Sequence, residues 1–137
     1  MKNGFTLIEL LIVLAIVGIL AAFSVFGTAR FRNSLEYGNS VNQILSDIKL
    51  AQQLAETSSQ TCKIDFSPTS NTYSISKAGK LYRSVTAGKN VRFSGKSYFE
   101  FLRSGETSVG GSGTLVIGGS SSPKKIIVSQ RGRIRVE

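Results

Sequence analysis

The sequence predicts an α+β fold: a long amino-terminal helix, with a membrane half and an amphipathic half, packed on antiparallel β-sheets. Three observations predict it. An apolar run without a single charge extends from Leu10 to Ala29. Apolar residues then recur every three or four positions between Val41 and Ala55. From Cys62 onward the period drops to two.

The first run is 20 residues of mostly Leu, Ile, Val, Ala and Phe. At about 1.5 Å per residue it makes a helix of roughly 30 Å, the thickness of a bilayer's hydrocarbon core. Lys2 is the one basic residue ahead of Arg30, which puts the short leader on the cytoplasmic side. Glu9 is the anomaly. A carboxylate in a membrane helix costs on the order of 2.5–3.5 kcal/mol at the centre and less near an end, so it calls for a partner. A cut between Gly4 and Phe5 would create one, the new α-amino group of Phe5. The alternative is a secretory signal peptide with a small-residue site near Ala21-Ala22-Phe23-Ser24. Such peptides carry no Glu in their apolar region, and here the helical pattern continues past that site.

Val41, Ile44, Leu45, Ile48, Ala51 and Ala55 form one helical stripe, with Asn42, Gln43, Asp47, Lys49, Gln52, Gln53 and Glu56 at the remaining positions. Gly27, Gly38 and Asn39 weaken the path from the first helical half without a proline to break it, and Thr57-Ser58-Ser59 ends it. Short strands are then expected at 63–66, 72–76, 81–85, 91–93, 98–102, 115–117, 125–128 and 132–136. Turns fall at Ser67-Pro68, Ala78-Gly79, Ala87-Gly88 and across Gly118 to Pro123. The strands suggest a sheet split into two smaller ones.

The chain has 137 residues, one domain's worth beyond the apolar helix. It has no His, no Trp and one Cys. Imidazole-dependent triads and thiolate zinc sites therefore have no residues to build them, and no cofactor or enzymatic activity is expected. Cys62 reads as a small apolar residue inside a strand. Gly95-Lys96-Ser97 imitates the end of a phosphate-binding loop, but Asn90 stands where the motif needs Gly. Gly110-Gly111-Ser112-Gly113 has no helix after it to hold a phosphate. Most of the aromatics Tyr73, Tyr82, Phe93, Tyr98, Phe99 and Phe101 alternate with polar residues and read as core.

The net charge is +9, and its placement is uneven. Between Arg30 and Asp65 four basic and four acidic residues cancel, whereas Phe66–Glu137 holds twelve basic residues against three acidic. A one-sided basic field favours polyanions and speeds their encounter. It culminates in Gln130-Arg131-Gly132-Arg133-Ile134-Arg135-Val136-Glu137. In an extended strand Arg131, Arg133 and Arg135 share one face at about 6.6 Å spacing, with Gly132, Ile134 and Val136 turned to the domain. Guanidinium groups fork onto phosphate oxygens and stack on bases. Lys124 and Lys125 add to the same patch in this reading. The alternative is an edge strand kept from aggregating by charge, for which one or two lysines suffice.

At both ends the residues resemble a known family. Gly4-Phe5-Thr6-Leu7-Ile8-Glu9-Leu10-Leu11 resembles the processing motif of type IV prepilins and type II secretion pseudopilins. The resemblance implies cleavage between Gly4 and Phe5 by the prepilin peptidase, N-methylation of Phe5, and neutralisation of a neighbouring Phe5 amine by Glu9 during assembly. It divides the chain into a leader (1–4), a transmembrane and assembly helix (5–29), its amphipathic continuation (30–59) and a β-rich head (60–137) with a basic tail. The implied fold is type IV pilin-like, and the number of strands resembles the FimT and pseudopilin H group of minor pilins. Gly132-Arg133-Ile134-Arg135 is similar to the glycine–arginine–any–arginine tail of the FimT group, which binds DNA in natural transformation. That implies Arg133 and Arg135 as phosphate ligands, supported by Arg131, Lys124 and Lys125. The implied partners are DNA, other pilin subunits, the prepilin peptidase and inner-membrane lipid. The implied location is the bacterial inner membrane with the head in the periplasm, then the pilus at the cell surface. The competing expectation is a minor pilin or pseudopilin H that primes fibre assembly and binds no nucleic acid.

Overall fold

The computed structural model describes residues 6–119 and 122–137, with the side chains of residues 23–30 outside that set. Leader residues 1–4 and the processing residues Gly4 and Phe5 lie outside the described residues. The elements are one helix, α1 (Leu7–Ser58), and eight strands: β1 (Cys62–Ser67), β2 (Thr72–Lys77), β3 (Lys80–Thr86), β4 (Arg92–Gly95), β5 (Tyr98–Phe101), β6 (Gly113–Gly118), β7 (Lys124–Val128) and β8 (Ile134–Val136). Two compact units divide the chain, Met1–Asn33 and Ser34–Glu137.

In the first unit, α1 opens at Thr6, whose carbonyl accepts the N–H groups of Glu9 and Leu10 at 3.1 and 3.3 Å. Glu9 lies in the first turn, where an anion faces the positive end of the helix dipole. Leu7, Ile8, Leu10, Leu11, Ile12, Val13, Leu14, Ile16, Val17, Ile19 and Leu20 are all exposed, so every face of this segment is apolar and uncovered. Among the described residues no helix is long and apolar enough to cross a membrane.

In the second unit, α1 buries Tyr37, Val41, Ile44, Ile48, Ala51 and Ala55 in one core with both sheets. The first sheet has the order β3-β2-β1-β5 and the second β4-β6-β7-β8. All of the strand pairings are antiparallel. Alternation fixes which face goes inward. Cys62, Ile64 and Phe66 of β1, Tyr73 and Ile75 of β2, and Phe99 and Phe101 of β5 are buried from the first sheet. Phe93, Leu115, Ile117, Ile126 and Val128 are buried from the second. The ring of Phe66 lies 5.3 Å from Phe93 and 5.9 Å from Phe99, joining the sheets through aromatic contacts. Burial pushes the Cys62 thiol up, as an apolar surrounding does.

The chain changes sheets after β4. Gly95 makes the switch with φ +84, and a Cβ there would stand 2.6 Å from the Thr114 carbonyl oxygen. Lys96 N–H then bonds Thr114 O at 2.9 Å while Ser97 O accepts from Phe66 N–H at 2.7 Å, so successive residues bond to opposite sheets. The apparent phosphate-loop fragment Gly95-Lys96-Ser97 is this crossover.

Asp47 departs from the polar face expected of it and is 4% exposed. It accepts from Tyr73 Oη at 2.5 Å and from Arg83 Nη1 at 3.1 Å, so a buried carboxylate ties α1 to β2 and to the edge strand β3. Helical spacing marks Asp47 as next to the stripe but cannot show the partners waiting on β2 and β3. Burial, and then the bond to Asp47, hold the Tyr73 phenol well above its ordinary value. Tyr73→Phe keeps the ring and removes the hydroxyl partner of the buried carboxylate. It should lower unfolding free energy by about 1–3 kcal/mol, read from the urea midpoint of the full chain. A raised folded-state value gives stability that is complete below the unfolded value of about 10 and falls above it, so the gap between wild type and variant should narrow above about pH 10.

Candidate functional site at the basic hairpin

β7 and β8 form a hairpin closed by Gln130, Arg131 and Gly132. Gly132 N–H bonds Ser129 O at 2.9 Å and Ser129 N–H bonds Arg133 O at 2.9 Å. With Gly132 at φ +75, this is a three-residue loop whose glycine takes the left-handed position of a bulge. The structure therefore corrects the expected strand 132–136: β8 begins at Ile134, Arg131 sits on the turn and Arg133 just past it. A type of turn that needs φ > 0 at one residue ends the strand where the glycine falls.

The loop is seated by α1. Gln52 Nε2 donates to Gly105 O at 2.8 Å and to Gly132 O at 3.1 Å, bridging two loops that are remote in sequence. Thr107, 4% exposed, adds its backbone N–H to Gln130 O at 3.0 Å and its hydroxyl to the same carbonyl at 3.2 Å. A Cβ at Gly132 would lie 2.1 Å from Gly105 O and 2.6 Å from Gln52 Nε2. Gly132 is thus buried against the helix and a neighbouring turn, and its place in the site is structural. Neither Gln52 nor Thr107 stands out in the sequence, because their partners are set by tertiary packing alone.

Arg131, Arg133 and Arg135 line one open groove of about 580 Å³ together with Ile127 and Ser129. β8 is an edge strand, so the groove has no strand beyond it. Arg135 stands in register with Ile127, and Ser129 Oγ accepts from Arg133 N–H at 3.1 Å, which orders the chain as it enters β8. All three arginines are exposed. The ion pairs among the described residues are Lys63–Asp65 and Arg83–Asp47, and none involves these arginines. Three fixed cations around an open trough suit an anion with repeated charges.

The two lysines separate. Lys125 alternates with Ile127 and Ser129, on the solvent face shared by the arginines. Lys124 alternates with the buried Ile126 and lines a different recess with Tyr37, Val41 and Val136. Its N–H bonds Tyr37 Oη at 3.1 Å. Consecutive strand residues point to opposite faces, so the two cannot both extend the arginine patch; Lys125 does and Lys124 does not.

The amino-terminal sequence matches the family model described as the prokaryotic N-terminal methylation motif, over residues 1–25. The fold resembles the type IV minor pilin FimU of Pseudomonas aeruginosa at TM-score 0.62, with 15% identity, 78% of this chain and 92% of that chain covered. It resembles the minor pseudopilin EpsH of the Vibrio cholerae type 2 secretion system at TM-score 0.61, with 14% identity, 74% of this chain and 96% of that chain covered. No curated protein matches the chain in sequence. The α+β, pilin-like architecture expected from the sequence is the architecture found.

Gly132→Ala tests the seating of the hairpin. A left-handed backbone and a Cβ pressed on a carbonyl should cost about 1–3 kcal/mol of stability, read as a lowered denaturation midpoint. An unchanged midpoint would show that the loop is not held against Gly105 and Gln52.

Proposed function

We propose that this chain is a minor type IV pilin of the FimT kind that binds DNA, without sequence preference, through its carboxy-terminal basic groove. Processing between Gly4 and Phe5, N-methylation of Phe5 and pairing of Glu9 with a neighbour's amine place it in the inner membrane and then in a pilus among other pilins. Support for this delivery comes from the methylation motif over residues 1–25 and from the exposed apolar face of Leu7–Leu20. The observation that carries the DNA reading is the convergence of Arg131, Arg133 and Arg135 on one groove, exposed and without an ion pair among the described residues.

Binding of this kind rests on release of counterions from the nucleic acid, so its strength falls with salt by about 0.7–0.9 log units per phosphate contacted and log unit of salt. The groove does its work by position and charge, and no bond is made or broken. Arginine rather than lysine matters because each guanidinium can hold two phosphate oxygens at once. Sequence-independent contact is what an uptake system meeting arbitrary DNA requires.

A second reading has its own support: the fold matches a minor pilin and a minor pseudopilin about equally, at TM-scores of 0.62 and 0.61. On that reading the chain primes fibre assembly and its basic hairpin contacts another subunit. The two separate in a titration of the full chain, in detergent, with a labelled oligodeoxynucleotide at several salt concentrations. Replacing Arg131, Arg133 and Arg135 together by Gln should flatten the salt slope by about 2–3 units. A folded triple variant with the wild-type curve would leave the assembly role standing and remove the DNA role. The delivery half is checked by intact mass of protein from filaments, which should begin with N-methylated Phe5; retention of residues 1–4 would refute it.

A further inference from the structure

The groove of β8 is one end of a larger basic face. The solvent side of the second sheet can be followed strand by strand through its registers. Ser94 of β4 stands opposite Val116 of β6, and Val116 opposite Lys125 of β7. One step along, Thr114 stands opposite Ile127, and Ile127 opposite Arg135. One step the other way, Arg92 stands opposite Gly118. Cations therefore appear on the outer side of β4, β7 and β8, separated on β6 by Gly118, Val116 and Thr114, which raise no bulky polar barrier. Beside Arg92, a second open groove of about 390 Å³ is lined by Lys89, Asn90, Arg92, Gly118 and Gly119.

The acidic residue in register on this face is Glu137, whose backbone bonds Lys125 at 2.8 and 2.9 Å. The outer face of the first sheet is different in kind. There Lys63 is held by Asp65 at 2.6 Å, and Glu100 accepts from Ser108 at 2.6 Å. The outer face of the first sheet thus carries both signs, whereas that of the second is mostly cationic.

We propose that Lys89 and Arg92 form a second phosphate-contact site, joined to the arginine groove by Lys125, so that bound DNA crosses the strands of the second sheet instead of running along β8. This rests on the DNA-binding reading. Three strand spacings of about 4.8 Å separate β4 from β8, giving a path of about 14 Å. Charges on one strand of a duplex recur about every 3.4 Å of helix axis, so a path of this length has room for phosphate contacts beyond the first groove.

The test is the same salt-resolved titration of the full chain with a labelled single-stranded oligodeoxynucleotide. Lys89→Gln with Arg92→Gln should lower the slope by about 1.4 units, two contacts at the single-strand value of about 0.7 each. Lys77→Gln with Lys80→Gln, an equal loss of charge on the first sheet, should leave the slope unchanged. An unaltered slope in the first variant, while the triple arginine variant still loses its contacts, would confine DNA to β8 and overturn the path. Equal losses in both double variants would mean diffuse attraction and overturn it too. If the triple arginine variant also binds as wild type, the DNA reading itself fails and takes this path with it.

Discussion

One helical face organises the head. The stripe from Tyr37 to Ala55 is the surface that both sheets share, in one core with their inward residues. Apolar burial supplies the driving force at about 25 cal/mol per Å², but it has no preferred direction. Direction comes from three polar side chains on the same helix. Tyr37 donates to Ile117 O at 2.7 Å and accepts from Lys124, fixing β6 and the start of β7. Asp47 fixes β2 and β3, and Gln52 fixes the loops before β6 and β8. Each bond is modest in net energy, but leaving such a buried partner unmade is expensive, so together they select one arrangement of the sheets.

This division of labour separates the parts that hold the site from the parts that act. Gln52, Thr107 and Gly132 are buried or half-buried and seat the turn, while Arg131, Arg133 and Arg135 stay in solvent. The arginines need no internal partner because Arg135 sits on an edge strand and Arg131 and Arg133 on the turn that leads into it, where water hydrates them. An edge strand is ordinarily a hazard for aggregation, and three like charges at its border repel another copy approaching by the same edge. The same charges thus guard the edge and line the groove.

Much of the architecture was legible in the residues. Each of the eight expected strands is present, because the signals are all local. Inward residues such as Ile64 and Ile75 alternate with polar ones, and residues 115–117 and 126–128 are short β-branched or aliphatic runs bounded by turn residues. The helical stripe was legible for the same reason. What escaped was whatever depends on partners far along the chain. Asp47 looks like an ordinary polar-face residue until Tyr73 and Arg83 are brought to it. Gly132 looked like part of a strand because nothing nearby reveals Gly105 and Gln52 against it. Lys124 and Lys125 read as a pair, although the strand's alternation parts them. Arg92 and Lys89 could not be joined to the tail at all without the registers of β4, β6 and β7.

The crossover at Gly95 has a kinetic consequence. β4 belongs to the second sheet and β5 to the first, so β5 must return past the junction to close against β1 while β4 waits for β6. The two sheets are interleaved in the order of the chain, since β4 of the second lies between β3 and β5 of the first. Long-range strand pairings of this sort close slowly, since loop entropy is lost before contacts repay it. Such interleaving around one shared core favours all-or-none unfolding of the head.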